Sequence, residues 1–212
     1  MLDIERELKY PLLDDSWLKK ILIGGILNII PVISFLPWGY AYRIFRKTLQ
    51  GEDVLPLPPW DRWKEDFISG FKIFVLAVLW AVIPLILFKV SALLGLLAVA
   101  AAGILFPMAL ACYAAEERFT HAFRVQHIWQ RIRSTRDRYA SAWLTCCVLF
   151  IVGLFIWRLP VIGYPLGAFL FFYILLVYAR LFGLVCRSEQ PLPATTETAV
   201  ETGPEDSSPP SA

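Results

Sequence analysis

The sequence predicts an all-α protein, a polytopic integral membrane helical bundle with four clear spans and a short N-terminal apolar hairpin or kinked span. Three observations carry that prediction. Hydrophobic residues make up 58% of the 212-residue chain, charged residues only 18%, and the mean hydropathy is +0.59; a soluble domain carries about a quarter charged residues. The apolar residues gather into runs at about 21–42, 67–88, 92–115, 141–157 and 164–186, several of them long enough to cross a hydrocarbon core of roughly 30 Å. Between those runs lies an arginine-rich island, 116–140, of the kind that marks the cytoplasmic side of spanning segments.

Residues 1–15 form a polar lead that mixes Asp3, Glu5, Arg6, Glu7, Lys9, Asp14 and Asp15. It lacks the basic start and short apolar core of a signal peptide, so the apolar runs are expected to stay in the mature protein. Asp14-Asp15-Ser16 supplies helix N-caps, and Trp17 with Lys19-Lys20 has the character of an interface anchor. Residues 16–187 form the transmembrane domain.

The run from Ile21 to Tyr42 is interrupted by Pro31 and Pro37, with Ser34 between them. Proline removes a helical hydrogen bond and clashes with the preceding turn. The run is either one kinked span or a short hairpin that turns near 31–34, and basic residues at both ends, Lys19-Lys20 and Arg43, Arg46, Lys47, favour the hairpin. Gly51-Glu52-Asp53 and Leu55-Pro56-Leu57-Pro58-Pro59 then forbid helix and make residues 48–66 a linker. Trp60 and Trp63 return the chain to the interface.

Phe67–Phe88 is a clear span with Lys72 able to snorkel at its end. A short turn at Lys89 and Ser91 leads into Ala92–Ala115, where Ala98 and Ala102 lie one turn apart, as close helix packing in lipid prefers. Pro84 and Pro107 are expected to kink these helices.

The island carries Arg118, Arg124, Arg131, Arg133, Arg136 and Arg138 against Glu116, Glu117 and Asp137, a net charge of +3. Phe119, Ala122, Phe123, Val125, Trp129 and Ile132 recur near helical spacing. The pattern fits a basic amphipathic helix lying in the interface, with Trp129 and the arginines as lipid-contact candidates; a plain cytoplasmic linker is the other reading. Ser141–Trp157 and Tyr164–Cys186 form the last two crossings, with a G-x-x-x-G spacing at Gly163 and Gly167. The tail, 188–212, mixes Pro, Ser, Thr and acidic residues with no Lys or Arg and is expected to be disordered.

The four cysteines, Cys112, Cys146, Cys147 and Cys186, form no C-x-x-C pair and read as small apolar residues, with palmitoylation or metal capture as the alternative. His121 and His127 are six apart and do not share a helix face. No phosphate-binding loop, nucleophile elbow or dinucleotide glycine pattern appears, so no catalytic residue, cofactor or metal is expected. Asn28 is the one strongly polar group deep in an arm, and it serves either an interhelical hydrogen bond or a site at a broken helix. The expected partners are membrane lipids, with anionic head groups at the island, and protein partners or further copies of the chain; nucleic acid is not expected. Two internal likenesses suggest a duplicated unit: 31–39 with 160–167, and 67–71 with 139–143.

The pattern Trp17-Leu-Lys-Lys-Ile-Leu-Ile-Gly-Gly25, Pro31, Gly39-Tyr40, Arg43, Gly51, Leu55-Pro56 and Trp60 resembles the prokaryotic membrane-protein family called domain of unknown function 4013. The stretches at Ala122-Phe123 and Pro160-Val-Ile-Gly163 fit it too. The likeness extends over about 8–187; Leu-Pro-Leu-Pro-Pro-Trp stands where the family has a shorter Leu-Pro-x-Trp. The resemblance implies a multi-pass helical protein of bacteria or archaea and implies no activity. The function expected is a non-enzymatic lipid- or partner-binding component of the cell membrane, with the island and tail cytoplasmic; a small-solute permease or its subunit is the alternative.

Overall fold

The structure, a computed structural model, describes residues 4–52, 54–159 and 163–187. The expected tail lies outside the described residues. Those described form α1 (Ile4–Lys9), α2 (Trp17–Ile29), α3 (Phe35–Gln50), α4 (Trp63–Val90), α5 (Ala92–Glu116), α6 (Val125–Ser134), α7 (Arg136–Trp157) and α8 (Gly163–Arg187), with no strand among them. Four helices, α4, α5, α7 and α8, are long and apolar enough to cross a membrane.

The run 21–42 is a hairpin. Ile30 turns extended ahead of Pro31, which ends α2, and Ser34 N–H closes the turn on the Ile30 carbonyl. Pro37 falls in the first turn of α3, where its missing N–H leaves no helical bond unmade. At the far end Gly51 adopts φ 86°, and the N–H groups of Gly51 and Glu52 return to Thr48 and Lys47. That left-handed cap is what glycine supplies without steric cost.

The helix α8 is the central post. It packs on α2, α3 and α7, and 56% of its apolar stretch is inside the bundle, against 6% for α7. Gly24 and Gly25 on α2 make room for Phe172 and Phe169 of α8: a Cβ at either would come within 2.5 Å of the ring. Asn28 Nδ2 donates to the Ala168 carbonyl at 3.4 Å, so of its two expected roles the interhelical bond is the one the structure supplies. The next layer is α3 against α4, and α4 turns at extended Ser91 into antiparallel α5.

Several expectations need correction. The island is not one helix. Glu117 at φ 52° ends α5, a 3-10 turn covers Phe119–Phe123, α6 follows, and Arg136 and Arg138 already belong to the first turns of α7. Because the helical register restarts after Arg124, the anticipated apolar face divides: Ala122 and Ile132 are buried together with Ile128, whereas Phe119, Phe123, Val125 and Trp129 are exposed. Lys20 is no interface anchor; its ammonium is drawn inward to Asp14. Ser16 makes no side-chain cap to α2. The two internal likenesses pair α3 with α8 but α4 with α7, in opposite chain order, so they cannot belong to one tandem duplication.

Candidate functional site

Three features concentrate polar or open space in an otherwise apolar bundle. The first is the clamp on the 51–62 linker. The Asp14 carboxylate is buried and accepts from Ser16 N–H at 2.7 Å, Ser16 Oγ at 2.6 Å, Lys20 Nζ at 2.9 Å and Leu57 N–H at 2.7 Å. Burial pushes this carboxyl's pKa up, but the hydrogen bonds from Ser16, Lys20 and Leu57 outweigh it and bring it down to about 2. Lys20 Nζ also donates to the Leu57 carbonyl, and Trp60 Nε1 to the Lys20 carbonyl. Tyr40 OH donates to the Pro58 carbonyl, and its ring stacks on Trp60 at 4.2 Å.

Arg43 completes the clamp. One face of its guanidinium meets the Tyr40 ring, Nη1 donates to Asp61 and Nη2 to the Pro59 carbonyl. The same Nη2 lies 3.1 Å from Asp66 Oδ2, a close charge contact without the alignment of a hydrogen bond. Asp66 is 2% exposed, so this is a buried ion pair between α3 and α4. From the sequence Asp14 is expected only as part of a helix N-cap, and Asp66 has no expected role. The only signal was indirect: Tyr40, Arg43 and Trp60 sit in the pattern that carried the family resemblance, and the fold brings them together.

The second feature is the island. Its candidate residues do not converge on one point. Arg118, Arg124, Arg133, Arg136 and Arg138 are exposed, and Arg131 is half-buried with Nη1 3.9 Å from Cys112 Sγ. On α6, Ile128 and Ile132 face α5 while Trp129, 47% exposed, faces away with the Arg133 guanidinium 5.5 Å from its ring centre. From Arg118 to Arg136 there is no acidic residue.

The third feature is a cavity of about 800 Å³ lined by α3, α4, α5, α7 and α8. Its deep end includes Tyr42, Phe45, Leu110 and Phe182; at its rim Leu85, Phe88, Phe150 and Ile151 are exposed. Among the described residues no charged one lines it. Of the pair Ala98 and Ala102, expected to support close helix contact, Ala102 instead faces the cavity. Ala100, Ala102 and Gly103 line open space, and a Cβ on Gly103 would meet nothing within 4 Å. Among the described residues no three His, Cys, Asp or Glu side chains gather as a metal site would need.

Comparison with known families bears on these features together. The family model described as Protein of unknown function (DUF4013) matches residues 23–162, more than half of the chain. The chain belongs to this family. The match takes in most of α2 and all of α3 to α7, hence the Tyr40–Trp60–Arg43 clamp, the island and most of the cavity wall; Asp14 and Lys20 lie ahead of it. No curated protein and no solved structure matches the chain. DUF4013 membership therefore brings no chemistry, and the membrane-type helices are read from this chain itself.

Proposed function

We propose that this DUF4013 protein is a non-enzymatic, multi-pass component of the cell membrane whose basic segment binds anionic lipid head groups from the cytoplasmic side. The observation that carries the reading is the division of labour on α6. Ile128 and Ile132 hold the helix to the bundle, and this leaves Trp129, with Arg133 stacked against it, free to meet an interface. Indole rings favour the head-group level, and each arginine near an anionic surface contributes roughly 1 kcal/mol. Five exposed arginines against the single exposed acid between them, Asp137, make this the face with the largest stake in such a surface. The arginine excess also supports the cytoplasmic orientation.

The permease alternative is weaker. A path for a polar solute needs polar or charged lining, and no charged residue among those described lies on the wall of the cavity.

The test uses the full chain in nanodiscs. Hydrogen exchange of residues 118–135 should slow when neutral lipid is replaced by a mixture rich in anionic lipid, and molar salt should reverse the effect. Replacing Arg118, Arg124 and Arg133 with Gln should remove most of it. Equal exchange in neutral and anionic discs would reject the reading.

A further inference from the structure

We infer that the cavity is a binding site for an acyl chain of an anionic phospholipid, with its head group beside Arg124 and Arg138 of the basic segment. The inference rests on the same basic segment as the proposed function and adds an intramembrane site to it. The cavity and the segment meet at one turn of α5, Gly103–Phe106. Trp143, on the cavity wall, donates Nε1–H to the Gly103 carbonyl at 3.2 Å. Trp80, also on the wall, packs edge-on against Phe106 and stacks on Phe123 at 5.8 Å with ring planes 16° apart. Tyr139 OH donates to the Ile104 carbonyl. The basic segment is thus pinned to this turn from both sides, with Arg124 next in the chain to Phe123, and Arg138 next to Tyr139.

The chemistry of an occupant follows from that juxtaposition. A wall without a charged group offers an ionic head nothing but favours hydrocarbon, and about 800 Å³ lies within the range of ligand-holding cavities. Water in so apolar a space would lack the polar partners it needs. The exposed rim residues Leu85, Phe88, Phe150 and Ile151 open the space on the side of the bundle, where in a bilayer the neighbours are acyl chains. The cationic segment beside the Gly103–Phe106 turn selects for negative charge on the head group.

The experiment places the full chain in nanodiscs with a phospholipid carrying a photoactivatable group on its acyl chain, once with an anionic glycerol-phosphate head and once with a neutral choline head. Peptides containing Trp80, Gly103 and Cys146 should be labelled by the anionic probe at least threefold more than by the neutral one. Gly103→Leu projects a side chain into open space and should cut this labelling at least threefold while its melting transition is retained. Should that variant fail to fold, Ala100→Phe serves the same purpose. Arg124→Gln with Arg138→Gln should bring the anionic probe down to the level of the neutral one. Equal labelling by the two probes in the unmodified chain, or unchanged wall labelling in a folded Gly103→Leu, overturns the proposal. If the salt-sensitive exchange effect at 118–135 survives while wall labelling fails, the surface reading stands and the cavity site is rejected. Wall labelling with head-group preference but no exchange effect rejects the surface reading alone.

Discussion

Gly39 of α3 and Asp66 of α4 touch backbone to backbone: a Cβ on Gly39 would lie 1.7 Å from the Asp66 carbonyl oxygen. One turn away the contact repeats: a Cβ on Gly70 would lie 1.8 Å from the Phe35 carbonyl oxygen. Two helices this close have no room for even a methyl group, and backbone cannot rotate aside as a side chain can. Gly39→Ala and Gly70→Ala should each destabilise the bundle by roughly 2–3 kcal/mol, read as a lowered thermal midpoint in detergent. Gly103→Ala, facing open space, should be neutral or gain up to about 1 kcal/mol from helix propensity. Equal midpoints for all three variants would contradict the packing described.

The approach of those helices is what buries Arg43 with Asp66. Side-chain exposures of 12% and 3% make it a pair whose partners depend on each other. Arg43→Met strands a carboxylate and should cost roughly 3–5 kcal/mol. Adding Asp66→Leu removes the stranded charge and should recover most of that loss. Asp61, 54% exposed, contributes through a screened contact, so Asp61→Asn should leave the thermal midpoint nearly unchanged. A double variant as unstable as Arg43→Met alone would show that Arg43 acts by packing rather than by charge.

Asp14 gives the clamp a pH signature. Its folded pKa of about 2 lies below the roughly 3.9 of an unfolded aspartate. The folded carboxyl holds its proton less tightly, so its stabilisation is complete above about pH 4 and is lost as pH falls from about 4 to about 2. Asp14→Asn should cost roughly 2 kcal/mol at neutral pH and progressively less below pH 4. Melting of both proteins at pH 7 and pH 3 tests this, because the contributions of the other carboxylates cancel in the difference. A gap that does not shrink at low pH would remove the carboxylate charge from the account.

The orientation proposed for the chain is open to thiol labelling. In a background lacking the native cysteines, Ser134→Cys on exposed α6 should react with a membrane-impermeant maleimide only in inverted vesicles, and Ser91→Cys at the α4–α5 turn only in intact cells. The reverse pattern would invert the topology, and with it the side on which anionic lipid would be met.

Much of this architecture was legible because it depends on chain-local physics. The length and polarity of the runs set α4, α5, α7 and α8, Pro31 set the hairpin turn, and Gly51 set the end of α3. Helix register within the island was not legible. Periodicity across 119–132 looked continuous, but Glu117 and Arg124 break the helix and send Ile128, not Trp129, inward.

What the sequence by itself determined is therefore the class of the protein, an apolar helical bundle with a basic segment between its apolar runs, because hydropathy and charge act residue by residue along the chain. Only the tertiary structure decided which polar groups are partners and where space remains. Asp14 meets Leu57 across 43 positions, and Arg43 meets Asp66 between helices. The Gly103 turn opens onto a cavity although small residues usually close such gaps. Those outcomes turn on the distances and crossing geometry of packed helices, which no local pattern of residues encodes.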